Sequence, residues 1–475
     1  MAFSNLFFLL VFLPVFMLIY SYAGGIKRKN VVLLAASLIF YAFGGIRYLL
    51  LLLIMAALAW FFGILIEKDP EGRKGKQYLF FSVLLFLLVL GFFKYTGFFL
   101  GSLGSLLQKN WAFSIALPMG ISFYTFKLIS YVADVYHGRT KAEHSYFMVL
   151  LYTAIFHQSM QGPIVRYPEM REALYERKLT MAGLSDGIYR FSVGLAKKVV
   201  LADHCGELAD IMVPMSDEIA NAPTAGVWIG MILYSMQLYI DFSAYTDMAL
   251  GLGQMIGFSY PENFNYPYIA RSVRDFWRRW HMTLSFFFRD YVYIPLGGSR
   301  AGAARTTINL LVVWALTGLW HGSSWNFVLW GLYYFVFIVF ENWRRKKEKK
   351  DWPLVLQHIY TIIIFVFGWL LFRFSDFSQL LHAIRGFFGL GGNGFMSMTI
   401  KLNVQNNIWF LIVCLLTCTP FFRSIGKYLM TYFQVRRIPR TAIYAGKTLI
   451  VVGLIILSII VMTGNTFTPF LYNQF

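Results

Sequence analysis

The stretch LFFSVLLFLLVL, residues 79–90, decides the fold class because it is apolar on every face of a helix. A strand of a membrane β-barrel would instead alternate apolar and polar side chains. Similar runs recur along the 475 residues, and about 20 such residues in a helix cross the roughly 30 Å hydrocarbon core of a bilayer. We therefore expect an all-α polytopic membrane protein with about 11–12 transmembrane helices.

The composition also indicates a membrane protein. Hydrophobic residues make up 58% of the chain and charged residues 14%, whereas a soluble domain carries about 25% charge. In a soluble protein the net charge of +19 would suggest nucleic-acid binding. Here the basic residues lie between apolar runs, as in cytoplasmic loops, so we expect the lipid bilayer as a partner and no nucleic acid. Cys205, Cys414 and Cys418 predict neither a disulfide framework nor a zinc site.

The order of charges predicts how the chain enters the membrane. An apolar stretch in residues 1–22 precedes the basic residues Lys27, Arg28 and Lys29, which is the wrong order for a cleaved signal peptide. We expect a retained first helix in the cell membrane, with the amino terminus outside and the basic loop in the cytoplasm. A helical hairpin should follow, with glycines 44 and 45 at its outer turn.

A short apolar run at residues 146–156 has basic residues on both sides. We expect a re-entrant segment there, because irregular backbone at membrane depth must line protein or a watery cavity. No internal repeat or long linker divides the chain, so we expect one membrane domain over residues 1–475. Its core would hold the motifs in residues 113–345, with peripheral helices in 1–112 and 350–475.

One candidate for chemistry is His321, in the motif TGLWHGSSWNF of residues 317–327. The motif lies between two apolar segments, which predicts a turn or break within the bilayer. A neutral imidazole there can accept a proton from a hydroxyl nucleophile, and Trp325 and Asn326 are suited to orient the ring or bind a carbonyl oxygen. A structural histidine fits the same residues equally well. The other ionisable candidates in apolar segments are Lys127, Asp134, His157, Asp241, Asp247 and His281.

His281 lies in RSVRDFWRRWHMTLSFFFRDYVYIPLGG, residues 271–298. By itself this setting favours an interfacial histidine in an aromatic belt. The arginines of the stretch suit bidentate phosphate contacts, although a positive cytoplasmic loop explains at least half of them. They are Arg271, Arg274, Arg278, Arg279 and Arg289. No metal-ligand spacing and no nucleotide phosphate loop occurs, so we expect no metal site.

Together, the two histidine stretches resemble the paired histidine regions of the membrane-bound O-acyltransferase superfamily. The resemblance is carried by WRRWHMTLSFFFRDYVYIPLGG and GLWHGSSWNF, residues 277–298 and 318–327. Three further stretches are similar to the alginate O-acetyltransferase branch, and the resemblance runs over residues 3–345. They are PMGISFYTFKLISYVADVY (118–136), GPIVRYPEM (162–170) and QLYIDFSAYTDMALGLGQMIG (237–257).

The resemblance implies a bacterial enzyme whose helices surround a central tunnel. It would take acetyl from cytoplasmic acetyl-CoA, with no permanently bound cofactor, for O-acetylation of an extracytoplasmic polysaccharide. An outward-facing SGNH-type acetyltransferase would complete the delivery. With the residues above, we expect His321 and His281 to be catalytic. We expect substrate binding by Trp277, Arg278, Arg279, Trp325 and Asn326.

Two alternatives stay open at this stage. One is a relative that transfers D-alanine from a carrier protein to teichoic acid, which shares the paired histidine regions. The other is a non-enzymatic saccharide transporter, which paired inverted repeats would indicate, and none is evident in the sequence.

Overall fold

The computed structural model describes residues 2–109, 111, 115–300, 302–347, 352–464 and 469–471. All regular structure in these ranges is helical, without a strand, which confirms the all-α class. The chain forms two compact units by its internal contacts. The expected boundaries at residues 113 and 350 lie outside the described residues, and the single membrane domain stays a prediction.

The first unit comprises Met1–Phe191, Thr246–Pro261 and Arg289–Tyr291. Gly45 has a φ of 121°, a conformation that suits glycine, and it joins two helices at the predicted hairpin turn. The helices are α1 (Leu13–Tyr22), α2 (Gly25–Ala42), α3 (Ile46–Glu67), α4 (Arg73–Leu106), α5 (Ile121–Tyr136), α6 (Tyr146–Ala154), α7 (Tyr167–Glu176) and the larger part of α8 (Met181–Ala196).

The second unit comprises Ser192–Tyr245, Glu262–Phe288 and Val292–Phe475. It begins with the last residues of α8, which are followed by a π-helical turn at Lys197–Ala202. Its helices are α9 (Asp203–Met212), α10 (Thr224–Met255, whose last residues belong to the first unit), α11 (Val273–Arg279), α12 (Met282–Phe288), α13 (Ala303–His321), α14 (Trp325–Lys346), α15 (Leu354–Arg373), α16 (Phe377–Phe387), α17 (Met398–Asn406), α18 (Ile408–Thr417), α19 (Phe421–Val435) and α20 (Arg440–Gly464).

Five described helices are long and apolar enough to cross a bilayer, namely α3, α4, α10, α15 and α20. The pair α17 and α18 forms a sixth if it is counted as one span bent by 67°. In α10, 78% of the most apolar window is buried in protein, against 6% in α20. Thus α10 is an internal helix and α20 a peripheral one.

Two apolar stretches of the sequence are interrupted in the structure. Residues 184–203 form most of α8, the π-helical turn and the first residue of α9. The nine-residue α6 is too short to cross a bilayer by itself and leads into a 3-10 helix at Phe156–Gln158, which suits the expected re-entrant segment. The total of 11–12 spans stays a prediction.

Two glycines allow α13 and α14 to pack closely. A Cβ atom on Gly318 would lie 2.4 Å from the carbonyl oxygen of Phe327, and one on Gly331 would lie 2.4 Å from that of Trp314. Neither distance leaves room for a methyl group, so the two backbones approach each other through glycine. This hairpin places its turn, and the motif histidine, at a fixed position.

Candidate active site

His321 is the last residue of α13, and the chain turns immediately after it. Gly322 follows in an extended conformation, and α14 begins at Trp325. A Cβ atom on Gly322 would lie 2.0 Å from the ring of Phe327, so the turn needs glycine at this position. The His321 side chain is buried, at the kind of break that the sequence predicts.

Aromatic rings surround His321. The ring of Trp330 lies 4.9 Å from the imidazole, centroid to centroid, at 80°, and that of Phe372 lies 5.7 Å away at 76°. Such edge-to-face contacts hold a ring in one orientation. Water is largely excluded from this setting, which strengthens any interaction with a polar substrate atom.

Trp277 is one ring further from His321. Its indole packs edge-on against Trp314, Trp330 and Tyr334, at centroid distances of 5.0, 5.4 and 4.8 Å. The side chain is buried, and it supports Trp330, which contacts the imidazole. A role of Trp277 in substrate binding stays a prediction, and its packing role is visible.

His281 lies at the turn between α11 and α12, and a buried amide fixes its ring. The Nδ1 atom lies 3.1 Å from Oδ1 of Asn263. The same Oδ1 accepts hydrogen bonds from the backbone N–H of Thr283 at 3.3 Å and from its hydroxyl at 2.9 Å. Because an amide oxygen only accepts, Nδ1 of His281 carries the proton, and Nε2 is left as the acceptor nitrogen.

The indole of Trp320 connects the two motif histidines. Its ring lies 5.7 Å from the His281 ring and 5.0 Å from the His321 ring. On another side, Phe242 of α10 contacts the His281 ring at 4.9 Å. The structure thus brings both sequence-predicted histidines into one aromatic cluster, although they are 40 positions apart.

Asn326 has its amide engaged with protein atoms. Its Nδ2 donates to the carbonyl oxygens of Leu371 and Phe372, both at 3.2 Å, and Ser324 donates to its Oδ1. These bonds fix the end of α15, where Phe372 contacts His321. Trp325 is 52% exposed. Substrate binding by either residue stays a prediction, and the contacts of Asn326 indicate a positioning role.

The predicted phosphate-binding arginines differ in their contacts and exposure. Arg279 forms an ion pair with Asp275 at 2.9 Å, and Arg289 with Asp290 at 2.6 Å. Arg278, in contrast, is exposed on α11, and so is Arg271. An anion arriving from solution can therefore reach Arg271 and Arg278, and also Arg289, whose side chain is 54% exposed despite its ion pair.

Arg278 belongs to a cluster of guanidinium groups at α11 and the end of α14. Burial, followed by repulsion from Arg345 and then Arg278, lowers the pKa of Arg274. The backbone N–H of Arg274 donates to Glu341 at 3.0 Å, which ties α11 to α14. Sequence reasoning missed Arg345, because it assigned the basic run after α14 to membrane orientation only.

The other ionisable candidates have partners in their own units. In the first unit, His157 contacts the Tyr260 hydroxyl at 2.7 Å and Asp247 pairs with Arg190 at 3.0 Å. Asp134 accepts from Tyr291 at 2.8 Å, and Lys127 donates to Gln158 at 2.9 Å. In the second unit, Asp241 pairs with Lys198 at 2.8 Å. Among the described residues, no group of three or more His, Cys, Asp or Glu is placed to hold a metal ion.

Comparison with known proteins agrees with these motifs. Residues 140–381 match the membrane-bound O-acyltransferase family model. The probable alginate O-acetylase AlgI of Pseudomonas aeruginosa is 37% identical over 397 residues, which cover 82% of this chain and 75% of that protein. The peptidoglycan O-acetyltransferase of Helicobacter pylori is 31% identical, with 82% and 80% covered. The teichoic acid D-alanyltransferase of Bacillus subtilis is 28% identical, with 55% and 70% covered.

The matched region contains both histidine motifs and α6 to α15. It also includes two of the helices that are long and apolar enough to cross a bilayer, α10 and α15. The similarity to the first two relatives extends over most of each protein. The chain therefore belongs to the membrane-bound O-acyltransferase family, and it is a multi-pass membrane acyltransferase.

Proposed function

We propose that this enzyme is an O-acetyltransferase that passes acetyl groups across the membrane to an extracytoplasmic polysaccharide, with His321 as its catalytic residue. The observation that supports it best is the aromatic cluster in which Trp320 contacts both His281 and His321. Two of the relatives above are named as O-acetylating proteins, one for alginate and one for peptidoglycan. Both names point to acetyl transfer onto a glycan polymer.

His321 acts as the general base in this proposal. It takes the proton from an acceptor hydroxyl while the hydroxyl oxygen attacks the thioester carbonyl carbon. The carbon–sulfur bond then breaks, the acceptor keeps the acetyl group as an ester, and the thiolate leaves with the proton that His321 returns. The ring contacts from Trp330 and Phe372 hold the imidazole in place for both proton transfers.

His281 supports the reaction from the other side of Trp320. Its hydrogen bond to Asn263 fixes one tautomer, so that Nε2 can accept a proton or a hydrogen bond. The residue lies between two seven-residue helices, outside the spanning helices, and burial lowers its pKa to about 3. His281 is therefore neutral at physiological pH and serves as a hydrogen-bond acceptor that orients the substrate.

The acyl donor in this proposal is acetyl-CoA from the cytoplasm. Its phosphates cannot enter hydrocarbon, and guanidinium groups bind phosphate through paired hydrogen bonds. The cluster of Arg274, Arg278 and Arg345 combines three such groups at α11 and α14. It lies in a region that the positive-inside rule assigns to the cytoplasm.

The acceptor side faces out of a bacterial inner membrane, with the amino terminus of the chain also outside. An exported glycan is reached only from that side, so a second, outward-facing acetyltransferase of the SGNH type completes the delivery. D-alanyl transfer to teichoic acid is the alternative. D-alanyl transfer has less support, because the match to the teichoic acid D-alanyltransferase covers 55% of this chain, whereas the matches to the two O-acetylating relatives cover 82%.

Replacement of His321 by Ala tests the proposal. We expect acetyl esters on the exported polymer, measured after alkaline release, to fall at least about a hundredfold, since general-base catalysis contributes roughly 10²–10⁴ in rate. Membrane vesicles given labelled acetyl-CoA should also stop releasing free CoA thiol. If D-alanyl rather than acetyl esters disappear, the alternative is correct.

The control is His137→Ala. His137 is exposed just after α5, where its Nδ1 atom lies 2.8 Å from the Ala133 carbonyl oxygen and its ring packs on neighbouring Tyr136, so its loss should leave the ester content unchanged. Both variants are compared at equal abundance in the membrane. Persistent acetylation by an abundant His321→Ala protein would show that this histidine is structural.

A further inference from the structure

The last part of the sequence has an unusual charge distribution. No Asp or Glu occurs from residue 377 to residue 475, whereas eight Lys or Arg do, and six of the eight lie between Arg423 and Lys447. This basic stretch forms α19 and the beginning of α20. A segment with cations and without carboxylates attracts anions and has no internal counter-charge.

α19 is amphipathic, with its cations on one side. Arg423, Lys427 and Gln434 follow one another at spacings of four and seven residues, so they share a face. The opposite face is apolar and aromatic, formed by Phe421, Phe422, Ile425, Leu429, Tyr432 and Phe433. Sequences of this kind, with a basic polar face and an aromatic apolar face, are typical of helices that lie in the membrane interface.

The apolar face of α19 is not covered by the part of the chain that the structure describes. No residue of the helix is buried, and Phe422 and Leu429 are 51% and 41% exposed. In water, so many exposed apolar side chains would be an aggregation hazard. Because neighbouring segments of this chain cross the membrane, the boundary between head groups and acyl chains is the surface that suits this face.

The length of α19 excludes a crossing of the bilayer. Its 15 residues span about 22 Å at 1.5 Å per residue, which is shorter than a hydrocarbon core of about 30 Å. Arg423 and Lys427 would also lie inside the hydrocarbon if the helix crossed it. An orientation in the membrane plane keeps both cations at head-group level.

The turn after α19 adds three cations at the same level. Arg436 and Arg437 precede the spanning helix α20, which begins at Arg440, so they lie where the chain enters the bilayer. In the part of the chain that the structure describes, none of these three, nor Arg423 or Lys427, forms an ion pair with a carboxylate. Phosphate groups of lipids are the anions that are abundant at this depth.

We propose that α19 and the turn at residues 436–440 form a lipid platform, a surface that binds anionic phospholipid head groups in the cytoplasmic leaflet. The apolar face of the platform contacts the upper acyl chains, and its arginines and lysine contact lipid phosphates. The lipids it selects carry a net negative charge, as phosphatidylglycerol does, and zwitterionic lipids bind it less tightly.

The test uses the full-length protein in nanodiscs that contain phosphatidylcholine and phosphatidylglycerol. The platform variant replaces Arg423, Lys427, Arg436 and Arg437 by Gln. Lipids that remain bound after transfer to mild detergent are counted by mass spectrometry. We expect the phosphatidylglycerol retained per protein to fall at least about tenfold, since each basic residue near an anionic surface contributes several-fold to binding.

A matched control removes the same charge elsewhere. Its four substitutions to Gln are at Lys68, Arg73, Lys74 and Lys76, in the turn after α3 and the first residues of α4, a stretch that also carries Glu67, Asp69 and Glu71. This variant should keep its phosphatidylglycerol. Equal loss from both variants, or no loss from either, would overturn the proposal.

A spin label at position 429 tests the position of the apolar face. In the proposed orientation, Leu429→Cys carrying a nitroxide is accessible to membrane-dissolved oxygen, and Lys427→Cys is accessible to an aqueous nickel complex. If label 429 is instead shielded from both reagents and the protein runs as a dimer, the face is a protein contact and the proposal is wrong.

Discussion

His281 adopts a left-handed backbone conformation with a φ of 43°. For most residues with a side chain this conformation costs roughly 1–2 kcal/mol. It is kept where the ring meets the amide of Asn263 and the indole of Trp320. Unfavourable backbone angles cluster at functional sites because the surrounding structure over-determines them, which supports a role for this histidine beyond packing.

Replacement of His281 by Gly should distinguish the effect of its backbone conformation from the effect of its imidazole ring. Glycine accepts a positive φ without strain, and both Gly and Ala remove the imidazole. The free energy of unfolding of His281→Gly should therefore exceed that of His281→Ala by about 1 kcal/mol, and His281→Gly should unfold at a higher temperature. Both variants should lose most acetyl transfer, because neither supplies an imidazole. The measurements are thermal unfolding in detergent and acetyl transfer by membrane vesicles. An active His281→Gly enzyme would restrict the histidine to a backbone role.

At the scale of elements, the hairpin of α13 and α14 positions His321. The two helices approach through Gly318 and Gly331, where a Cβ atom would lie 2.4 Å from a carbonyl oxygen of the other helix. Trp314, whose carbonyl oxygen faces Gly331, also packs its ring on Trp277. A displacement of the two helices would therefore move the aromatic cluster as well as the turn.

Gly331→Ala should separate α13 from α14 by a few tenths of an ångström or more. Overpacking of this kind typically costs 1–3 kcal/mol, and misplacement of His321 should reduce acetyl transfer at least about tenfold. The control is Gly446→Ala in α20, where no described neighbouring residue has an atom within 4 Å of the added Cβ atom. That variant should be as active as the parent and as stable or slightly more so. If Gly331→Ala behaves like Gly446→Ala, hairpin packing does not set the site.

At the scale of the whole molecule, the chain has 42 Lys and Arg against 23 Asp and Glu, and this excess of positive charge is unevenly distributed. Some arginines are paired, as Arg279 is with Asp275. Others gather so closely that they repel one another, as Arg274, Arg278 and Arg345 do at α11 and the end of α14, where Glu341 offsets only part of the charge. Uncompensated clusters raise the local concentration of anionic ligands, and the effect weakens with salt.

Arg278→Gln should weaken donor binding and leave the chemistry intact. We expect the KM for acetyl-CoA to rise about five- to tenfold at low salt with kcat unchanged, which is the signature of lost ground-state binding. The difference should shrink as the salt concentration increases. Arg47→Gln is the control, because that residue is exposed at the predicted outer turn. A fall in kcat with unchanged KM would contradict a role in donor docking.

Much of the site could be predicted from the sequence, because its signals are local. His321 is flanked by apolar segments and glycines, and these features determine a turn. Asn263 could not be found in this way. It lies 18 positions before the histidine that it fixes, in a polar stretch that is typical of a loop, and the contact depends on how that loop returns to α11.

The helices also differ in how well the sequence predicts them. Long apolar runs such as α3 can be predicted from hydropathy alone. α19 was missed, because a search for about 20 apolar residues passes over a helix with cations in its middle. Its spacing of three and four residues was present in the sequence all along.

The absence of carboxylates from residue 377 onward has a consequence for how the enzyme responds to acidity. Acidification changes the charge of a protein mainly by protonating Asp and Glu side chains, which lose their negative charge. Lys and Arg stay positively charged until strongly alkaline conditions. His382, the single imidazole of this segment, can only add positive charge when it takes up a proton. Acidification of the cytoplasm would therefore leave the affinity of this segment for the membrane unchanged or increase it.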